Sequence, residues 1–247
     1  MSNPAMQLIE IHRDLNADLA GLKFAPPVHT VYNPLEYAFP VFREYLERFA
    51  TVGIRAMLMG MNPGPWGMAQ TGIPFGSVPR VRDWMGLGDL GEGAIGKPGR
   101  EHPKRPIQGF SCPRVEVSGD RLWGLMEQRY PDPADFFARH MVINYCPLVF
   151  MEDSGRNRTP DKLPAAEQAP LTEACDRALA RQIEVIRPRL LIGVGKFAEK
   201  RLKDVASQNG FDLPVGSILH PSPASPAANR DWAGSATRQL ADLGVWG

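Results

Sequence analysis

Two polar side chains that could carry chemistry stand in proline- and glycine-rich loops, each of which follows a short apolar run. Asn62 lies in the loop 60–76, GMNPGPWGMAQTGIPFG, and His220 begins the loop 220–229, HPSPASPAAN. An Asn amide can hold a water or polarise a bond, although it cannot act as a general base at neutral pH. An imidazole can stabilise negative charge on a leaving group. Because proline and glycine make both loops stiff and irregular, we expect Asn62 and His220 to share a pocket.

Three further residues could complete such a pocket. Gly64 removes side-chain bulk where a flat molecule could approach the backbone. Phe75 could stack on an aromatic ligand or belong to the core. The amide of Asn144 could satisfy backbone groups, or its oxygen could accept from a ring N–H while its nitrogen donates to a carbonyl. That pattern fits uracil and disfavours cytosine.

Structural roles compete with these interpretations, and other chemistries lack their motifs. Asn62 could be a turn-former beside Pro63, and His220 could be structural. No Walker A or GxSxG motif is present. The remaining histidines and the three cysteines lack metal-ligand spacing, so we expect neither a metal nor an organic cofactor.

The composition indicates an intracellular globular protein without a global basic field. The 247 residues carry a net charge of +1, with 43% hydrophobic and 22% charged residues. Any nucleic-acid binding must therefore use local patches of basic residues on the surface. No apolar stretch approaches the ~20 residues needed to span a membrane, and the N-terminus has no signal-peptide pattern. The odd number of cysteines favours a reducing, cytoplasmic compartment.

Strands that alternate with helices predict a three-layer α/β domain around a four-stranded, mostly parallel sheet, spanning 1–247 as one domain. The predicted strands are 55–61, 141–145, 190–194 and 215–219. The predicted helices are 5–21, 34–50, 120–130, 171–186, 195–209 and 226–243. The segments 86–119 and 156–163 read as loops. Asn62, Asn144 and His220 thus follow the carboxyl ends of strands, where open α/β sheets bind ligands.

The two loop motifs, together with SGDRLW at 118–123 and NYCPL at 144–148, are similar to signature sequences of a known enzyme family. The chain resembles the single-strand-selective monofunctional uracil-DNA glycosylases, as a bacterial-type member of the uracil-DNA glycosylase superfamily. The resemblance implies a fold with a four-stranded parallel sheet. It also implies hydrolysis of the N-glycosidic bond of uracil and 5-hydroxymethyluracil in DNA, in base excision repair, after the nucleotide has flipped into the pocket.

The resemblance assigns a role to each pocket residue. Asn62 would position the attacking water, and His220 would stabilise the anionic base at O2, with help from the backbone N–H of Met61. Phe75 would stack on the base and Asn144 would read its N3–H and O4. The small Gly64 would leave room near C5.

The resemblance also places DNA contacts. The loop 220–229 and the helix near Gly119 would press into the DNA, with Arg121, Ser222 and Ser225 as contacts. Animal members carry a large basic residue at the position of Ala224, and a methyl group cannot fill the gap left by a flipped nucleotide. We therefore expect weaker activity on duplexes than on single strands. Further candidate phosphate contacts are Arg80, Arg82, Lys104, Arg105, Arg114, Arg156 and Arg158.

The expected partner is DNA that contains uracil or related damaged bases. We expect a monomer without a membrane partner, in the cytoplasm and near the nucleoid of a bacterium, or in the nucleus of a eukaryote. Two alternatives stay open at this point. The pocket could prefer deaminated purines such as xanthine or hypoxanthine, or the protein could bind damaged DNA without catalysis.

Overall fold

Seven strands, nine α-helices and a π-helix at Arg80–Trp84 make up the regular structure of the computed structural model, which describes residues 3–246. The strands are β1 Val28–Tyr32, β2 Ala56–Gly60, β3 His140–Asn144, β4 Val149–Glu152, β5 Asn157–Arg158, β6 Leu191–Val194 and β7 Val215–Ile218. The helices are α1 Pro4–Leu19, α2 Pro34–Tyr37, α3 Phe39–Phe49, α4 Met68–Thr71, α5 Val117–Arg129, α6 Pro133–Phe137, α7 Ala165–Ile186, α8 Lys196–Gln208 and α9 Pro226–Asp242. None of these helices is both long enough and apolar enough to cross a membrane.

The central sheet has four parallel strands in the order β3–β2–β6–β7. The inner strands β2 and β6 are buried at every position, as expected where helices cover both faces of a parallel sheet. Helix α8 packs against β6 and β7, α9 against β7 and α6 against β3. This arrangement confirms the predicted α/β class and places all four strands within one residue of the predicted bounds.

A second, antiparallel sheet was not predicted. Strand β4 pairs with β1 on one side and with β5 on the other. Val28 lies opposite Glu152, more than a hundred residues away along the chain, so no local pattern could reveal this pairing. The segment 156–163, predicted as loop, therefore contains strand β5.

The segment 86–119 has little regular structure, as predicted. It contains three short 3-10 turns before α5 begins at Val117. Its apolar side chains Leu87, Ile107 and Phe110 are buried. The Tyr32 hydroxyl accepts from the backbone N–H of His102 and donates to the carbonyl of Arg105. The small sheet thereby fixes a segment that runs toward the carboxyl edge of the central sheet.

Two predicted helices differ from the structure. The helix expected over 34–50 is broken at Ala38, whose φ is −114°. Pro40, the second residue of α3, disfavours a continuous helix here because its ring would clash with the carbonyl four residues earlier. The helix expected over 171–186 begins at Ala165 and contains Pro170. The apolar residues of the helices and both sheets join one core, and the assignment of 1–247 to one domain stays a prediction.

Candidate active site

A cavity of about 390 Å³ lies where the carboxyl ends of β2, β3 and β7 meet. It brings together seven residues predicted from the sequence: Met61, Asn62, Gly64, Phe75, Asn144, His220 and Ser222. Its lining also contains five residues that sequence reasoning did not place in the site: Met68, Glu116, Ser118, Asn157 and Thr159. The expectation that the two proline-rich loops share a pocket is therefore confirmed.

The orientation of the Asn62 amide follows from its contacts. The side-chain nitrogen donates to the carbonyl of Leu148 at 3.1 Å and, more weakly, to the carbonyl of Pro63 at 3.4 Å. A carbonyl can only accept a hydrogen bond, so the nitrogen must face Leu148. The amide oxygen is then left for the cavity that Asn62 lines.

The position of Phe75 depends on two glycines. A Cβ built on Gly60, the last residue of β2, would lie 2.4 Å from the Phe75 ring and 2.6 Å from the Asn144 side-chain oxygen. A Cβ on Gly119 would lie 1.9 Å from the carbonyl oxygen of Phe75. Phe75 itself has a φ of +56°, a conformation that costs energy for a non-glycine residue. Packing against β2 and α5 thus holds a strained turn that presents the ring to the cavity.

The amide of Asn144 is held less tightly than that of Asn62. Its nitrogen donates to the Met68 sulfur at 3.3 Å, and a thioether is a weak acceptor. The Asn144 amide can therefore exchange this contact for a carbonyl of a bound ligand.

His220 faces Phe75 across the cavity, with 6.0 Å between the two ring centroids. Burial lowers the pKa of His220 and so favours the neutral imidazole at neutral pH. A Cβ on Gly195 would lie 3.1 Å from the His220 Cβ, and the φ of Gly195 is +92°. The loop before α8 therefore needs glycine where it approaches this histidine.

The predicted DNA-contacting residues of the second loop have structural contacts of their own. Ser225 caps α9 by accepting from the N–H of Ala228 at 3.3 Å. The Ser222 hydroxyl accepts from the N–H of Ala224, and the Ala224 side chain is exposed. Arg121 donates to the carbonyl of Pro221 at 3.1 Å. These contacts order the loop, and DNA binding by its residues stays a prediction.

The residues that sequence reasoning missed come from parts of the chain read as loop or core. Glu116 stands two residues before the SGDRLW motif, Asn157 lies in the unpredicted strand β5, and Met68 begins the short helix α4. Asn157 donates to the carbonyl of Pro63 at 3.3 Å, so it supports the loop that carries Asn62. Among residues 3–246, no group of three or more His, Cys, Asp or Glu is arranged to hold a metal.

Comparison with known proteins agrees with this geometry. The model of the uracil DNA glycosylase superfamily matches residues 47–241. The single-strand selective monofunctional uracil-DNA glycosylase of Rattus norvegicus is 45% identical over 231 residues, which cover 94% of this chain and 82% of that protein. The chain belongs to this glycosylase family. Its relative of the same name in Mus musculus is also 45% identical over 231 residues, covering 94% of this chain and 81% of that protein.

The fold of this glycosylase family member also matches a solved structure. The crystal structure of Pedobacter heparinus SMUG2 superposes with a TM-score of 0.72 and covers 99% of this chain and 98% of that one. The two sequences are only 19% identical, so this likeness supports the fold alone.

Proposed function

We propose that this protein is a monofunctional glycosylase that hydrolyses the N-glycosidic bond of uracil, and of 5-hydroxymethyluracil, in DNA during base excision repair. One observation carries the proposal. A single cavity of about 390 Å³ is lined by an amide that can hold water, an aromatic ring, an amide that can read a base edge, and an imidazole. The uracil-DNA glycosylase names of the relatives support the same substrate.

Recognition begins when the nucleotide leaves its stack, since its base cannot otherwise reach the cavity. Phe75 then stacks on the base. The Asn144 nitrogen exchanges its contact with Met68 for O4 of the base, while its oxygen accepts from N3–H. Cytosine presents the reverse pattern on this edge and is disfavoured.

The chemical step combines a held water with stabilised negative charge on the base. The oxygen of Asn62 accepts a hydrogen bond from the attacking water. The C1′–N1 bond breaks and its electron pair passes to the base, while the water oxygen bonds to C1′. The proton that the water loses finally neutralises the base. An amide activates water weakly, so catalysis rests mainly on hydrogen bonds from the neutral His220 and the Met61 N–H to O2.

DNA binding needs basic groups that are free of carboxylate partners. Arg80 pairs with Asp120 at 2.9 Å and also with Glu127, and Arg82 pairs with Asp83 at 2.8 Å. These pairs disfavour Arg80 and Arg82 as phosphate contacts, because the DNA would have to compete with an existing carboxylate.

Arg105 and Arg114 have the opposite environment. Both guanidinium groups lie over the Trp66 ring, with 5.1 and 5.6 Å between the guanidinium carbon and the ring centroid. Among the ion pairs of residues 3–246, neither arginine has a carboxylate partner. Trp66 stands between Pro65 and Gly67, which both line the cavity. We therefore assign these two arginines to the phosphates beside the flipped nucleotide.

Replacing Arg105 and Arg114 together by Gln should weaken DNA binding and flatten its dependence on salt. Loss of two phosphate contacts lowers the slope of log K against log salt by about 1.4 for single strands. Equilibrium titrations at several salt concentrations measure this slope. Arg82→Gln serves as the control, and an unchanged slope in the double variant would remove these arginines from the DNA interface.

The function itself is tested by base release from labelled single-stranded and duplex oligonucleotides that contain uracil, 5-hydroxymethyluracil, xanthine or hypoxanthine. We expect release of uracil, with strand breaks appearing only after alkali, and faster release from single strands than from duplexes. Preferential release of the purines would contradict the proposed substrate. DNA binding without release of any base would indicate a protein that binds damaged DNA without catalysis.

A further inference from the structure

The cavity contains a carboxyl group that the proposed chemistry does not use. Among the described residues that line the cavity, only Glu116 carries a carboxyl group. It stands directly before α5 and is half-buried. A Cβ on Gly64 would lie 2.6 Å from a carboxyl oxygen of Glu116, and a Cβ on Gly67 would lie 2.9 Å from its Cγ. The side chain of Glu116 thus occupies space that these two glycines leave open.

The carboxyl group of Glu116 is hydrogen-bonded by Ser118 at the start of α5. Desolvation raises the pKa of its carboxyl group, and the backbone and hydroxyl of Ser118 only partly oppose this shift. No Lys, Arg or His forms an ion pair with Glu116 within residues 3–246. A desolvated carboxyl without a cationic partner disfavours folding, so its position beside a substrate cavity calls for a functional reason.

The proposed binding mode determines which part of the base meets this group, and the inference rests on that mode. Asn144 takes the N3–H and O4 edge, and His220 takes O2. The C5 edge must then face the remaining wall of the cavity. That wall contains Gly64, Gly67 and Glu116.

We propose that the Glu116 carboxyl forms a polar subsite that accepts a hydrogen bond from a hydroxyl group on the C5 substituent of the base. Glu116 is then a specificity-determining residue for pyrimidines with a hydrogen-bond donor at this position. A site built to bind a hydroxyl discriminates strongly, because its polar group is left unpaired when the hydroxyl is missing. An apolar C5 substituent of the same size would desolvate the carboxyl without replacing its hydrogen bonds.

The test compares single-turnover release of 5-hydroxymethyluracil and uracil from the same single-stranded sequence. In Glu116→Met, the ratio of the two rates should fall about tenfold or more, since a hydrogen bond to a charged or buried acceptor is lost. Uracil has no C5 hydroxyl, so its release by the same variant corrects the ratio for any general effect of the substitution. Glu116→Gln keeps one acceptor oxygen and should give an intermediate ratio.

Glu127→Met, at the other end of α5, removes a carboxylate outside the cavity and should leave the ratio unchanged. A ratio in Glu116→Met within about twofold of wild type, or equal losses on both substrates, would overturn the subsite. If Glu116→Met fails to fold, the ratio in Glu116→Gln decides in the same way. Wild-type protein that releases uracil but not 5-hydroxymethyluracil would overturn the subsite and the proposed activity on 5-hydroxymethyluracil, while the proposed activity on uracil would stand. Wild-type protein that releases neither base would overturn the proposed function as well.

Discussion

At the residue scale, the side-chain nitrogen of Asn62 donates to the Leu148 carbonyl, and this contact decides which end of the amide can meet a substrate. Phe75 is held with comparable restriction, because its ring fits only beside a bare Gly60. The site is thus preorganised by short-range contacts, and preorganised groups stabilise a transition state without rearranging during the reaction.

The Asn62→Ala and His220→Ala variants should lower base release far more than DNA binding. Loss of one positioned group that stabilises a transition state reduces the rate on the order of a hundredfold or more. Single-turnover kinetics and binding titrations on one uracil oligonucleotide measure the two effects. His29→Ala, outside the cavity, is the control. Equal losses of rate and affinity would show that Asn62 and His220 are structural.

Gly60→Ala should impair base release while leaving the protein folded. The new methyl group displaces the Phe75 ring and the Asn144 amide, and a displacement near 1 Å can slow catalysis roughly ten- to a hundredfold. Gly21→Ala is a matched control because a Cβ there meets nothing within 4 Å. Wild-type rates in Gly60→Ala would mean that the exact placement of Phe75 and Asn144 is unimportant.

At the element scale, helix α5 connects the two loops of the site. Its residue Gly119 contacts the backbone of Phe75, and its residue Arg121 donates to Pro221 at 3.1 Å and to Asn229 at 3.0 Å. Asn229 in turn donates to the Pro223 carbonyl at 2.8 Å. The chain directly after His220 is therefore tied to α5 and to the start of α9.

Arg121→Ala should slow base release about tenfold at saturating enzyme, because the loop that carries His220 loses its tether. Arg121→Lys should restore part of the rate. The same measurements separate this positioning role from the DNA contact expected from the sequence. A phosphate contact would instead weaken binding and reduce its salt slope by about 1, with the rate at saturation unchanged.

Elements that can be recognised from a short stretch of sequence were predicted well. The strands of the central sheet are short segments with buried apolar residues, each followed by a loop or turn, and all four were placed within one residue. Strands β1 and β4 were not predicted, because their pairing depends on contacts far apart in the chain. Glu116 was missed for a related reason. Its position in the cavity depends on Gly64 and Gly67, which the chain brings to it only in three dimensions.

At the scale of the whole molecule, the core contains two buried histidines that affect the response to acid. Burial lowers the pKa of His12 to about 4 and that of His140 to about 4. His12 also bonds the Leu8 carbonyl at 2.8 Å, and His140 lies beside the positive charges of Arg55 and Arg139. Below about pH 6.5 the unfolded chain protonates these histidines, whereas the folded chain does so only near pH 4.

The free energy of unfolding should therefore be highest above pH 6.5 and fall as the pH drops from 6.5 toward 4. Each histidine contributes up to about 3 kcal/mol to this loss. Denaturant titrations across this interval measure the slope, and His12→Phe should reduce it. A free energy of unfolding that stays constant between pH 6.5 and 4.5 would contradict the assignment of neutral, buried histidines.

Gly64 and Gly67 line the cavity and Gly60 lies directly behind Phe75 and Asn144, and a Cβ added at any of the three would lie within 3 Å of a site side chain. Glycine has no side-chain atoms left to lose, so every substitution at these positions can only fill space. Substitutions at these glycines therefore change the size of the pocket in one direction only, toward a smaller pocket. A lineage that carries these three glycines can narrow its range of damaged bases through one amino-acid change, whereas a broader range requires changes elsewhere in the pocket.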